Sequence, residues 1–215
     1  MKLVWCPETA SKAYIDAVKA LADRDLEETN VAELVAAMAG GWKAQLIVEA
    51  WDHGDGVATS LGLEAAARHT RGRHVCVVPD ERSAAEYVEV MRRAGLPAAE
   101  PAVVVGEAEE VMGEMQGVDF MVVDWRRRDA AKVLRAARAG PRGMVVVRKG
   151  AGRMRSGAAA MAAGTRLVKS AFLPIGRGLE VLHLGVGKGP SLGSGCGRWI
   201  KHVDRDTGEE HVFRR

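Results

Sequence analysis

Residues 46–67, LIVEAWDHGDGVATSLGLEAAA, are the stretch whose order of side chains says most about chemistry. An apolar run from Leu46 to Val48 ends in Glu49, passes a turn carrying Asp52, Gly54, Asp55 and Gly56, and opens an alanine-rich helix. A strand, a glycine turn and a helix N-terminus in that order offer a place for a nucleotide-like ligand. Backbone N–H groups point outward there, and glycine admits close approach. The turn is irregular: Trp51 and His53 stand where a tight glycine loop favours small residues. His53 is a residue type suited to general-base work, although a single histidine in a turn is more often a surface residue.

A second chemical signal is charge. The net charge of +3 conceals thirteen Arg and Lys between Arg126 and Lys169 against the single acid Asp129, a local excess of twelve. Such a block faces an anionic partner or solvates a helix. Within it, the apolar run MVVV meets Arg148-Lys149, two cations able to bind a phenolate, carboxylate or phosphate. Cys6, Cys76 and Cys196 are odd in number and widely spaced, with no CxxC pair. That usage indicates a reducing compartment, cytoplasmic or nuclear, without a disulfide framework or a structural zinc site. No apolar run approaches the ~20 residues of a membrane span, and Pro7 and Glu8 interrupt any signal-peptide core at once.

The elements that must position these groups alternate. Helices are predicted from Thr9 or Ser11 through Leu21 and after Asn30 as N-cap, the second ending at Gly40-Gly41. There follow strand 46–50, helix 58–69, strand 74–78, helix 81–94, strand 102–105, helix 107–115, strand 119–124, helix 128–139, strand 143–148 and helix 156–163. Two late strands near 167–173 and 179–186 lack a long helix between them. The short β-branched runs HVCVV, AVVV, FMVV and MVVV read as strands buried on both faces. The expected fold is α/β: a Rossmann-like doubly wound sheet, mostly parallel with a late antiparallel strand, and helices on both faces. Residues 1–187 form one domain, of which 1–40 are N-terminal helices. Residues 188–215 form a glycine-rich basic tail in which Asp206-Thr207-Gly208 turns a short hairpin.

The segments VEAWDHGDGVATSLGLEAA, HVCVVPDERSAAEYVEVMRRAGL, VVVGEAEEVM, VDFMVVDWRRRDAAKVL and SAFLPIGRGLEVLHLG, in that order, resemble class I S-adenosylmethionine (SAM)-dependent methyltransferases. The nearest branch is the small-molecule O-methyltransferases of the caffeoyl-CoA type, and the whole chain is similar to a plant family of uncharacterised methyltransferase-like proteins. The resemblance implies SAM as cofactor. It puts Glu49 near the SAM amino group, Gly54 and Gly56 in the remnant of the glycine loop, and Asp80 near the ribose hydroxyls, with Val78 at the usual position of that acid. Glu107 matches the acid near the adenine amine, and Asp124 the acid facing the reacting methyl group. Carboxylates, as acceptor-only groups, suit an ammonium, two hydroxyls and an exocyclic amine.

The chain also departs from that pattern. The caffeoyl-CoA branch holds a divalent cation with acids after the fourth and fifth strands. Here Arg148 and Lys149 replace the second acid, and hard cations need oxygen ligands, so no metal site is expected. Arg148 or Lys149 would instead contact an anionic substrate beside Asp124, and Trp125 is placed to stack on an aromatic one or to pack beneath the next helix. The leading reading is a metal-independent O- or N-methyltransferase acting on a small anionic molecule. Alternatives are a non-catalytic binding or scaffolding module of the same fold, and a nucleic-acid binder using the 126–169 block. The resemblance also raises the prospect of a homodimer.

Overall fold

The computed structural model describes residues 5–22, 24–52, 56–94, 102–150 and 161–187, together with the backbone of 199–203 and 210–214. The apolar runs form seven strands of one sheet: β1 (Leu46–Ala50), β2 (Arg73–Val78), β3 (Ala102–Val105), β4 (Phe120–Asp124), β5 (Met144–Lys149), β6 (Thr165–Leu173) and β7 (Leu179–Val186). Their order is β3-β2-β1-β4-β5-β7-β6. Strands β1 to β5 run parallel, and β7 is antiparallel to both neighbours. This is the expected mostly parallel, Rossmann-like sheet with a reversed late strand.

Helices cover both faces, which is why β1 is buried along its whole length. On one face lie α1 (Pro7–Leu21), α2 (Thr29–Gly41), α3 (Ala58–Thr70) and α4 (Glu81–Arg93). Their cores join Val31, Val35 and Leu63 to Ile47 and Phe120, and Tyr87 and Met91 to Trp51 and Cys76. On the other face α5 (Ala108–Glu114) and α6 (Ala130–Ala136) pack Met112, Val133 and Leu134 on Val48, Met121 and Val146. Strand order reverses at β1, flanked by β2 and β4, and at such a switch point open α/β sheets bind their ligands outside the carboxyl ends of the strands.

Several boundaries differ from expectation. Helix α2 starts at Thr29 rather than after Asn30, whose Oδ1 accepts from the Val31 N–H within the first turn. Helix α6 is shorter than 128–139, because residues 138–140 are drawn into a parallel bridge in which Val118 N–H donates to Arg138 O and Gly140 N–H to Val118 O. The helix expected over 156–163 falls mostly outside the described residues, and of those described 161–162 are irregular and 163–164 form a turn. In the tail, β8 (Trp199–Val203) and β9 (Glu210–Arg214) pair antiparallel as a separate two-stranded sheet, while the Asp206-Thr207-Gly208 turn lies outside the described residues. Among the described residues no helix is long and apolar enough to cross a membrane.

Candidate functional site

Asp124 and Lys149 are register partners at the tips of β4 and β5. The chain turns sharply after β4, with Trp125 N–H donating to the Lys149 carbonyl (2.7 Å). That turn returns Arg126 onto Asp124, whose Oδ1 accepts from the Arg126 backbone N–H (2.8 Å) and from its Nε (2.9 Å). Burial pushes the Asp124 carboxyl up, but the hydrogen bonds and charge of Arg126, aided by Lys149, outweigh it and hold the group below the usual carboxylate range. Lys149 Nζ donates to Thr59 Oγ1 (3.1 Å) and lies 3.9 Å from Glu28 Oε2.

These groups border a cavity of about 430 Å³. Its floor is the start of α3, from Gly56 to Thr59; one wall carries Asp25, Glu27 and Glu28 from the α1–α2 connection; Arg126, Lys149 and Arg177 supply positive charge. Glu28 adopts φ 56°, the left-handed region, which a side chain larger than glycine occupies at a cost of about 1–3 kcal/mol. It is held there from two sides. Its carbonyl accepts from the Val31 and Ala32 N–H groups, starting α2, and its Oε1 accepts from the Arg177 N–H at 3.2 Å. The turn after β6 approaches this closely because Gly176, at φ +57°, has no Cβ, which would sit 2.8 Å from Val31 Cγ2 and 2.9 Å from Glu28 Oε1.

The other residues singled out in the sequence lie elsewhere. Glu49 is buried and turned into the interior, where Tyr87 OH donates to Oε1 (3.1 Å) and His74 Nε2 stands 3.1 Å from the same oxygen. His74 Nδ1 lies 3.5 Å from Glu64 on α3. Burial raises the Glu49 carboxyl, yet the charge and hydrogen bonding of His74, with Ser60 and Lys149, bring it below its ordinary value. Asp80 caps α4, Oδ1 accepting from the Ser83 N–H at 2.7 Å, and is otherwise exposed. Glu107 is exposed at the start of α5 and makes no capping bond. Gly56 is exposed with open space around it, whereas Gly54 and His53 fall outside the described residues.

Arg148 does not line the cavity. It is 3% exposed, paired with Glu180 across the β5–β7 register, and its guanidinium lies 4.0 Å over the Trp125 ring. Expected at the substrate, Arg148 is instead engaged within the sheet, and Trp125 is covered by it. Trp51 is core, edge-on to Tyr87 at 5.4 Å. Among the described residues, several cations of the basic block are paired within the chain: Arg127 with Asp129 and Asp52, Lys132 with Glu109, and Arg142 with Asp119 and the Trp42 and Lys43 carbonyls.

Sequence reasoning did not find Asp25, Glu27, Glu28, Thr59, Arg126 or Arg177 as lining residues. The available signals were three acids in DLEE just before a helix and the glycine-bracketed Arg177 in PIGRG.

A family profile described as "Protein of unknown function (DUF1442)" matches residues 1–215. The chain belongs to that family. A search of curated proteins finds no match. Among solved structures, the SAH-bound methyltransferase PaMTH1 of Podospora anserina is similar at 12% identity and a TM-score of 0.54, over 86% of this chain and 90% of that one. A methyltransferase from Geobacter sulfurreducens is similar at 18% identity and a TM-score of 0.53, over 81% and 88%. A Staphylococcus aureus chain assigned to the caffeoyl-CoA O-methyltransferases is similar at 11% identity and a TM-score of 0.52, over 73% and 83%. The DUF1442 chain thus has the class I methyltransferase fold.

Proposed function

We propose that the chain binds SAM in the crevice above β1 and β4 and transfers a methyl group to an oxygen or nitrogen of a small molecule bearing an anionic group. One observation carries this reading: Asp124 and Lys149, adjacent at the strand tips, border a polar cavity that begins at the N-terminus of α3. The donor set suits the cofactor in part. Asp124 offers a carboxylate to the cationic sulfonium, Gly56 leaves the backbone open, and Asp80 and Glu107 are exposed beyond β2 and β3. Glu49 does not suit that end, because His74 and Tyr87 already engage it. The bound methyltransferases of this fold, including the SAH-bound Podospora protein, support the assignment.

SAM supplies an electrophilic methyl carbon. The chain supplies position: Lys149, Arg126 and Arg177 draw in the anionic group, and Asp124, kept ionised, accepts a hydrogen bond from the acceptor's N–H or O–H and so aims its lone pair. A carboxyl held below its usual range is a weak base, so the released proton goes to water. The cysteine usage supports a cytoplasmic setting.

Calorimetric titration of the full chain with SAM and SAH tests the reading. Saturable binding is expected, weakened about tenfold or more by Asp124→Asn. Absence of heat and of any thermal shift at millimolar ligand would refute it. The inward engagement of Glu49 favours a second reading, a binding module without catalysis, which is separated by SAM binding that leads to no methyl transfer.

A further inference from the structure

We infer that the acceptor is a zwitterion, a small molecule carrying an ammonium group close to its anionic group. Its role as acceptor rests on the donor reading above; its binding to the cavity does not. The cavity presents both signs at short range. Glu28 Oε2 is 3.9 Å from Lys149 Nζ, and Glu27 Oε2 is 3.2 Å from an Arg177 guanidinium nitrogen. A simple anion drawn to Lys149 and Arg177 would also meet Asp25, Glu27, Glu28 and Asp124. A simple cation would meet three basic groups. Either leaves a charge facing its like, which costs affinity.

A zwitterion satisfies both walls by exchanging partners: its ammonium replaces Lys149 at Glu28, and its anion replaces Glu27 at Arg177. Asp25 adds a carboxylate with no partner among the described residues. The lining also argues against a flat phenolic acceptor. Among the described residues its apolar members are Leu26 and Ala58, and no aromatic ring lines it. Glu28 is fixed for this task by the left-handed backbone and by the Arg177 N–H, so its carboxylate is preorganised.

Three probes built on one four-carbon chain test the inference on the full chain: L-norvaline (zwitterion), valerate (anion) and butylamine (cation), each titrated by calorimetry. Norvaline is expected to bind at least about tenfold more tightly than either of the others. Glu28→Gln should weaken norvaline and spare valerate, while Arg177→Gln should weaken norvaline and spare butylamine. If Glu28→Gln fails to fold, the Arg177 arm still decides. Norvaline binding should persist in saturating SAH. Valerate or butylamine binding as tightly as norvaline, or no binding of any probe, would overturn the proposal. Displacement of norvaline by SAH would also overturn it, since the cavity would then hold the donor's own amino-acid end. SAH titrated alone reads the donor assignment separately: norvaline binding without SAH binding removes the donor and keeps the zwitterion site.

Discussion

A carboxylate at the end of a buried strand can face a ligand or turn inward, and at Glu49 the choice is made by His74 on the neighbouring strand and Tyr87 on α4. The sequence shows an acid closing an apolar run; it does not show which way the side chain turns. Arg148 teaches the same lesson, since only the β5–β7 register brings Glu180 beside it. The Glu49–His74–Glu64 cluster has a measurable consequence. Burial works to lower the His74 pKa, but the two carboxylates, Glu49 foremost, carry it from 6.5 up to about 9. Its contribution to stability is therefore complete below pH 6.5 and lost as pH rises through about 9. Glu49, held below 4.5, contributes fully above that value and loses its contribution as pH falls further. Melting temperature followed against pH should be highest between these limits and decline on the alkaline side. Replacing His74 by Leu leaves two acids buried without a counter-charge, which costs about 3–5 kcal/mol, and should abolish the alkaline decline. A His74→Leu protein as stable as the parent, with the same alkaline limb, would contradict this.

Element order was legible because period and punctuation agree: β-branched runs too short for helices alternate with amphipathic stretches ending at Arg71-Gly72 and Gly140-Pro141. Element ends were less so, as at α6, where a bridge between Val118 and Ala139 competes with the last helical turn. Close approach between helices is likewise set in three dimensions. Gly62, inside α3, faces the Ala32 backbone of α2, and an added Cβ would lie well inside contact distance of the Ala32 carbonyl oxygen. Gly62→Ala should therefore destabilise the protein by about 1–3 kcal/mol in chemical denaturation, despite alanine's better helix propensity. Gly113, in α5, has nothing within 4 Å of a Cβ, and Gly113→Ala should be neutral or stabilising by about 0.5–1 kcal/mol. Equal effects at both positions would show that propensity, not the α2–α3 contact, governs Gly62.

At the scale of the whole molecule, alternation and two late strands without a helix between them indicate a mostly parallel sheet with a reversed late strand, and the fold fixes its order as β3-β2-β1-β4-β5-β7-β6. That a ligand belongs at the carboxyl ends of the parallel strands was readable, whereas the cavity there was not. Its walls come from the α1–α2 connection, the start of α3, the tips of β4 and β5 and the turn after β6, segments that no local pattern connects. The central claim is that the crevice above β1 and β4 receives an adenosylated donor with its sulfur end toward Asp124. A crystal structure of the full chain soaked with SAH measures that most directly. The expected result is density above the strand tips running from the Asp80 and Glu107 side to Gly56, with the sulfur beside Asp124. Density bound elsewhere, or an empty crevice at saturating SAH, would contradict it.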